Sequence, residues 1–232
     1  MEHLDQQILL LLNGSQSTFL DNCFLLITRT STWIPLFLVL LFIVFRALSK
    51  LQVSRSRALV LGILFIIACA LVIVICDQTA STICKPLFSR PRPSHEPALL
   101  GLVDLVNGRR GGAYGFFSSH AANTFGLATF VALTLRNRII SFTLYIWAIL
   151  SSYSRIYLGL HYPGDILVGL LFGVLVGFII YLLFDKVTRI NRERRNDNVT
   201  FQTALHASSP RLPYYLPITF LLTLLFIAIT SI

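Results

Sequence analysis

The chain has 232 residues, of which 55% are hydrophobic and only 12% are charged, a more apolar composition than that of ordinary globular proteins. This composition argues against a soluble domain and indicates an integral membrane protein. The net charge of +9 does not indicate a nucleic-acid-binding protein, because the basic residues form short clusters between long apolar runs.

The first 32 residues predict short helices. The two apolar stretches, 4–12 and 19–28, are interrupted by Asn13-Gly14-Ser15 and by Asp21-Asn22. We interpret them as interfacial or re-entrant helices, with a further membrane-spanning helix as the alternative. No removable signal peptide is predicted, because a basic n-region and a cleavage site are both missing.

Six later segments approach the length of about 20 mostly apolar residues that a membrane-spanning helix requires. In chain order they are 33–47, 58–76, 120–135, 139–157, 165–184 and 214–232. The predicted fold is therefore all-α: a polytopic transmembrane bundle of about six helices, preceded by short N-terminal interfacial helices. We expect a single membrane domain over 1–232, comprising the N-terminal segment 1–32, a motif-bearing core 33–184, a basic loop 185–213 and a C-terminal helix 214–232.

The positions of the basic residues predict the orientation of the bundle. Most of the 19 lysine and arginine residues lie in the segments 46–57, 136–138 and 186–211. The positive-inside rule places these segments in the cytoplasm, and the loops 77–119 and 158–164 outside. Asn198-Val199-Thr200 matches a glycosylation acceptor, but its predicted cytoplasmic position favours a chance match.

The four cysteines do not form a metal-binding pattern. Cys23, Cys69, Cys76 and Cys84 have neither CxxC spacing nor a histidine at metal-ligand spacing. Cys69 and Cys76 are interpreted as small buried hydrophobic residues, with a Cys76–Cys84 disulfide left open. No metal site is predicted.

Three groups of polar residues lie beside predicted membrane helices, where they are costly and usually mark a functional site. They occupy 85–93, 118–120 and 154–165, and they face the same side of the membrane if the helices alternate. The cations among them are Lys85, Arg92 and Arg155. Guanidinium groups bind phosphoryl oxygens through paired hydrogen bonds, and the predicted helix start at Ser118, Ser119 and His120 favours an anion.

The two histidines in these groups are predicted to have different catalytic roles. Asp165 follows His161 by four residues at a predicted helix start, so its carboxylate can bind one ring nitrogen and leave the other free to attack phosphorus. His120, on another helix, can protonate the leaving oxygen and later activate water. The remaining polar residues are interpreted as solvated or structural: His3, His95, His206, Arg90, Arg109 and Arg110. A second-phosphate contact is the alternative for Arg109 and Arg110.

These groups resemble the signature of the type 2 phosphatidic acid phosphatase superfamily, which reads Lys-x6-Arg-Pro, Pro-Ser-Gly-His and Ser-Arg-x5-His-x3-Asp. The first and third motifs match fully, at Lys85, Arg92-Pro93, Ser154-Arg155, His161 and Asp165. The second motif reads Phe117-Ser118-Ser119-His120, so proline and glycine are replaced in the turn that cradles the phosphate. His120 keeps its place.

The resemblance implies a phosphohistidine intermediate on His161, oriented by Asp165, with His120 as general acid and then base. It implies that Lys85, Arg92, Ser118, Ser119 and Arg155 bind the phosphate, without a metal ion or other cofactor. The expected partners are a phosphorylated lipid substrate and membrane lipids, and no nucleic acid. The expected location is the bacterial cytoplasmic (inner) membrane, with the site facing the periplasm.

The motifs contact only the phosphate, so they do not select the lipid. The small size and the terminal helices look similar to those of bacterial enzymes that dephosphorylate lipid A or undecaprenyl pyrophosphate. Of the two we expect lipid A as the substrate, with hydrolysis of its 4′-phosphate. The alternatives are undecaprenyl pyrophosphate and phosphatidic acid or phosphatidylglycerophosphate. A transporter or binding protein for a phosphorylated lipid is the alternative from a different class.

Overall fold

A computed structural model describes residues 2–15, 17–51, 54–193 and 200–232. Within them the chain forms ten α-helices and no β-strand. The first five are α1 (Glu2–Leu12), α2 (Thr18–Ile27), α3 (Ile34–Leu48), α4 (Arg55–Gln78) and α5 (Lys85–Phe88). The others are α6 (Ser119–Leu135), α7 (Arg138–Tyr157), α8 (Pro163–Glu193), α9 (Phe201–Ala207) and α10 (Tyr215–Thr230).

Five helical segments in the described part of the chain are long and apolar enough to cross a membrane. They are Thr30–Leu48, Arg55–Phe88, Arg138–Tyr157, Pro163–Arg189 and Leu212–Thr230. The remaining predicted membrane helix, 120–135, corresponds to α6, which has 17 residues and a length of about 25 Å. Most of its residues are buried among other helices, so α6 meets little lipid and needs less hydrophobicity. The predicted all-α polytopic bundle is confirmed.

Small residues hold α6 close to α8. Gly169, Gly173 and Gly177 recur every four residues on α8, a spacing that lets two membrane helices approach at backbone distance. A Cβ atom added at Gly173 would lie 2.9 Å from the Cα atom of Ala122 on α6. The glycines therefore bring the N-terminal ends of α6 and α8 together, and the backbone N–H of Ser118 donates to the carbonyl oxygen of Asp165 at 3.1 Å.

Two predicted helix boundaries were wrong. The second membrane helix continues past Cys76 through a π-helical turn, Thr79–Cys84, into α5, so Lys85 lies on a helix and not in a loop. The sequence from Ile63 to Lys85 contains neither glycine nor proline, and polarity alone does not end a helix.

The last part of α8 also extends into the predicted basic loop. Arg189 binds Asp185 at 2.9 Å, one helical turn away. The helix α9 lies in the same predicted loop. Arg194 and Arg195, and Asn198 and Val199 of the glycosylation match, lie outside the described residues.

The N-terminal helices pack at the end of the bundle where α7 finishes. The side-chain amide of Asn13 donates to the carbonyl oxygen of Tyr157 at 2.8 Å, and Phe24 of α2 stacks on the Tyr157 ring at 4.1 Å between centroids. The interfacial position of α1 and α2 stays a prediction. All four cysteines are free thiols.

Candidate active site

The three polar groups meet at one end of the bundle, as the alternation of helices predicts. They lie on and just after α5, at the start of α6, and from the end of α7 to the start of α8. Backbone hydrogen bonds join the segments: Arg92 N–H donates to the Ala113 carbonyl at 3.0 Å, and Ser118 N–H donates to the Asp165 carbonyl. The site is therefore built from chain segments far apart in sequence.

His161 and Asp165 form a buried pair. The side chain of His161 is 2% exposed and that of Asp165 is fully buried. His161 Nδ1 lies 3.4 Å from Asp165 Oδ2, and the backbone N–H of Tyr162 donates to the same oxygen at 3.1 Å. Pro163 begins α8 and puts Asp165 in its first turn, so the helix itself aims the carboxylate at the imidazole.

Arg92 contacts the other side of the imidazole. Its guanidinium donates to the carbonyl oxygens of Tyr114 at 3.1 Å and Leu160 at 3.0 Å, and its Nη1 atom lies 3.2 Å from His161 Nε2. A guanidinium has only donors, so Nε2 accepts this hydrogen bond. The neutral ring consequently carries its hydrogen on Nδ1 and donates it to Asp165.

The electrostatic surroundings favour the uncharged form of His161. Burial lowers the pKa of the imidazole well below its ordinary value, and the nearby cations Arg92, Arg155 and Lys85 lower it further. A neutral imidazole has a free lone pair, which is the form that a nucleophile requires.

Arg155 is a buried cation with unused hydrogen-bonding capacity. It is 9% exposed, and its Nη1 atom donates to Thr28 Oγ1 at 2.8 Å. Its Nε atom is buried and has no hydrogen-bond partner in the part of the chain that the structure describes. A buried guanidinium N–H without an acceptor is costly, and an anionic ligand would satisfy it.

Lys85 and the start of α6 complete the predicted set. Lys85 is half-buried on α5, and its Nζ atom donates to Ser81 Oγ at 3.2 Å. Ser118 is fully buried and caps α6, accepting from the Ala121 N–H at 3.4 Å. Ser119 and His120 form the first turn and are half-buried. His120 Nε2 lies 3.4 Å from the carbonyl oxygen of Thr28.

The interpretation of Arg90 as solvated was wrong. Its Nη1 atom donates to Asp165 Oδ1 at 2.7 Å and its Nη2 atom donates to Asp5 Oδ2 at 2.6 Å. Its guanidinium carbon lies 4.2 Å from the centroid of the Tyr162 ring. The repeated Arg-Pro pair at 90–93 was the one sequence signal for a second functional arginine, and nothing in the sequence singled out Asp5.

The other residues interpreted as solvated are exposed. They are His3, His95, His206, Arg109 and Arg110. Across the described ranges, no group of three or more His, Cys, Asp or Glu side chains is arranged to hold a metal ion.

The chain belongs to the PAP2 superfamily, whose sequence profile matches residues 59–189, more than half of its length. It is therefore a phosphatase, an enzyme that hydrolyses phosphoric esters, and its apolar helices make it a multi-pass membrane protein.

Two relatives match about four fifths of the chain. The lipid A 4′-phosphatase of Bacteroides thetaiotaomicron is 38% identical, over 81% of this chain and 80% of its own. The lipid A 4′-phosphatase of Porphyromonas gingivalis is 36% identical, over 78% and 73%. The undecaprenyl-diphosphatase of Bacillus subtilis is 39% identical, over 30% and 35%. No solved structure matches the chain.

Proposed function

We propose that the protein hydrolyses the 4′-phosphate monoester of lipid A through a phosphohistidine on His161. The observation that carries this proposal is the buried imidazole held between Asp165 and Arg92, with Nε2 as its unprotonated nitrogen. An unprotonated nitrogen beside three cations is suited to attack a phosphoryl group whose negative charge those cations neutralise.

The reaction has two steps. The lone pair of His161 Nε2 attacks phosphorus, a P–N bond forms, and the P–O bond to the lipid breaks while His120 gives its proton to the leaving oxygen. His120 then takes a proton from water, whose oxygen attacks phosphorus. The P–N bond breaks, inorganic phosphate leaves, and both histidines return to their starting forms.

Arg92 has two roles in this scheme. Before substrate binds, its guanidinium donates to the lone pair of His161 Nε2 at 3.2 Å. A phosphate dianion is a stronger acceptor than a neutral imidazole, because a charge-assisted hydrogen bond is about twice as strong as a neutral one. Substrate binding therefore draws Arg92 onto a phosphoryl oxygen and frees the nucleophile.

The other phosphate contacts follow from unused donors. Arg155 offers its buried Nε–H, Lys85 offers its ammonium group, and the first turn of α6 offers the backbone N–H groups of Ser119 and His120. Fixed donors in a site that excludes water stabilise developing charge more than water does. Ser118 shapes this turn by capping the helix and by binding the backbone of Asp165.

The surroundings of His120 support a lipid as the substrate. A cavity of about 200 Å³ lies between α3, α4, α6 and α7, and His120 contributes to its wall. Its apolar lining comes from Trp33, Phe37, Ile73 and Trp147. Hydroxyl groups such as that of Thr28 add hydrogen-bonding groups to the wall. Cavities of this mixed kind suit a ligand with an apolar body and a few polar groups.

Lipid A is preferred over the alternatives because the two relatives that match about four fifths of the chain are lipid A 4′-phosphatases. The undecaprenyl-diphosphatase matches over only 70 residues, so it supports the chemistry more than the substrate. The basic segments of the opposite end favour the bacterial cytoplasmic membrane with the site facing the periplasm.

The test is inorganic phosphate release by purified protein in detergent with EDTA. Wild type and His161→Ala are compared on lipid A, undecaprenyl pyrophosphate and phosphatidic acid in parallel. We expect release from lipid A by wild type only. Release from another lipid alone would change the substrate. Retained lipid binding or transport, with no release by folded wild type, would favour the transporter or binding protein.

A further inference from the structure

We propose that Asp5 and Arg90 are positioning residues of the active site, which hold Asp165 in the orientation that His161 requires. The four residues form a chain of contacts, Asp5–Arg90–Asp165–His161, that begins on α1. The inference rests on the proposed function of His161 as nucleophile and adds the N-terminal helix to the catalytic machinery.

Asp165 needs a fixed partner on each oxygen. Its side chain is fully buried, and Oδ2 receives the Tyr162 N–H and faces His161 Nδ1. Oδ1 is bound by Arg90 at 2.7 Å. A buried carboxylate without an opposite charge is strongly disfavoured, so Arg90 offsets the cost of burying Asp165 as a charged group. It also fixes the plane of the carboxylate, and hence the direction of Oδ2.

Arg90 is in turn immobilised by two further contacts. Asp5 binds its second terminal nitrogen at 2.6 Å, and the face of the Tyr162 ring supports the guanidinium at 4.2 Å. Arg90 and Asp5 are 20% and 15% exposed, so solvent competes little for either group. A planar guanidinium bound at both terminal nitrogens keeps one orientation, which a flexible ammonium group cannot do.

Asp5 also contacts the helix that carries Asp165. Its Oδ1 atom accepts a hydrogen bond from the backbone N–H of Gly164 at 2.8 Å, in the first turn of α8. One carboxylate therefore fixes both the arginine that binds Asp165 and the backbone next to Asp165.

Arg90 differs in this respect from the phosphate-binding cations. Both of its terminal nitrogens bind carboxylates, whereas Arg155 keeps a buried N–H without a partner in the described chain. Arg90 therefore acts on the phosphoryl group through Asp165 and His161 and not by contact. Its loss should slow the chemical step and leave the affinity for phosphate almost unchanged.

The test is a single-turnover assay with enzyme in excess over lipid A, on Asp5→Asn, Arg90→Gln and Arg90→Lys. When the folded enzyme is also at a saturating concentration, the rate constant is independent of the folded fraction, so partial unfolding would not lower it. We expect the single-turnover rate constant to fall about 100-fold in Arg90→Gln and about 10-fold in Asp5→Asn. This is the range seen when a residue that orients a functional group is removed. Arg90→Lys should recover part of the loss, and inhibition by orthovanadate should stay near that of wild type.

Asp104→Asn is the matched control, since it removes an exposed carboxylate at the same end of the bundle. It should keep the wild-type rate constant. A second readout does not depend on turnover: the ¹⁵N chemical shifts of His161 should report Nδ1–H in wild type and a mixture of tautomers in Arg90→Gln.

Unchanged rate constants together with unchanged tautomer signals in Asp5→Asn and Arg90→Gln would overturn the proposal. Failure of the proposed function has a different signature, which is a wild-type protein that releases no phosphate from any lipid. In that case the ¹⁵N comparison still decides whether Arg90 and Asp5 position the His161–Asp165 pair.

Discussion

The Nη1 atom of Arg92 lies 3.2 Å from Nε2 of His161, so a cation that belongs to the first motif contacts the imidazole of the third. The contact fixes the ring tautomer, because a guanidinium can only donate. It also places a positive charge where it opposes protonation of the ring. The chemistry proposed for His161 depends on both effects.

The first prediction concerns pH. The pKa of His161 is lowered by burial and by Arg92, Arg155 and Lys85, so the ring stays neutral well below the pH at which an ordinary histidine protonates. Because the nucleophile is the neutral form, kcat/KM should fall when acid protonates His161. The midpoint of this acidic limb should lie below the ordinary histidine pKa of about 6.5.

Arg92→Gln should move this limb to higher pH, because removal of a nearby cation makes the imidazolium less unfavourable. Wild type and variant are compared on the same lipid, so the ionisation of the substrate phosphate cancels. A limb that stays in place or moves to lower pH in Arg92→Gln would contradict the assignment.

The second prediction concerns the tautomer. Asp165→Asn replaces an acceptor with an amide that can donate to His161 Nδ1, which favours a hydrogen on Nε2 and blocks the attacking lone pair. We expect kcat to fall by roughly 10³–10⁴-fold, as for other triads that lose their carboxylate. Binding of orthovanadate, measured by inhibition of residual turnover or by calorimetry, should persist. A variant with more than a tenth of wild-type kcat would show that Asp165 does not orient the nucleophile.

The third prediction concerns phosphate affinity. Arg155→Gln removes a buried cation that donates a hydrogen bond to Thr28 and whose Nε–H has no partner in the described chain. A hydrogen bond to a charged group contributes about 1.5–3 kcal/mol, so the dissociation constant for orthovanadate should rise roughly 10- to 150-fold. Arg138→Gln, an exposed arginine at the other end of α7, is the matched control and should bind orthovanadate as wild type does. Equal affinities in the two variants would remove Arg155 from the phosphate site.

The fourth prediction concerns the α6–α8 contact. Gly173→Ala adds a Cβ atom 2.9 Å from the Cα atom of Ala122 and closer still to its carbonyl oxygen, and only a shift of whole helices can relieve the overlap. We expect a loss of about 1–3 kcal/mol in stability, seen as a lower unfolding temperature in detergent. Gly112→Ala meets no atom within 4 Å and should leave the unfolding temperature unchanged. An unfolding temperature for Gly173→Ala at or above that of wild type would show that the helices do not need this close approach.

The sequence predicted the parts of the site that depend on local spacing. His161 and Asp165 lie four residues apart at a helix start, and one turn of helix is enough to bring their side chains together. The motif pattern linked them to Lys85, Arg92 and His120, whose roles remain predictions. The hydrophobic runs predicted the bundle because burial in lipid requires long apolar helices.

The errors have a physical cause in each case. Hydropathy reports contact with lipid and not helicity, so the polar continuation of the second membrane helix to Phe88 was interpreted as a loop. The contact of Arg90 with Asp5 joins residues 85 positions apart. A single aspartate in a short amphipathic helix carries no spacing signal, and its partner can be found only after the chain has folded.

The most direct measurement is to quench the wild-type protein in base during turnover of lipid A, and to locate the phosphoryl group on its peptides by mass spectrometry. We expect phosphate on the peptide that carries His161, stable in base and lost in acid, and none in His161→Ala. Turnover of lipid A by His161→Ala at the wild-type rate, without any phosphorylated histidine in either protein, would contradict the proposed mechanism.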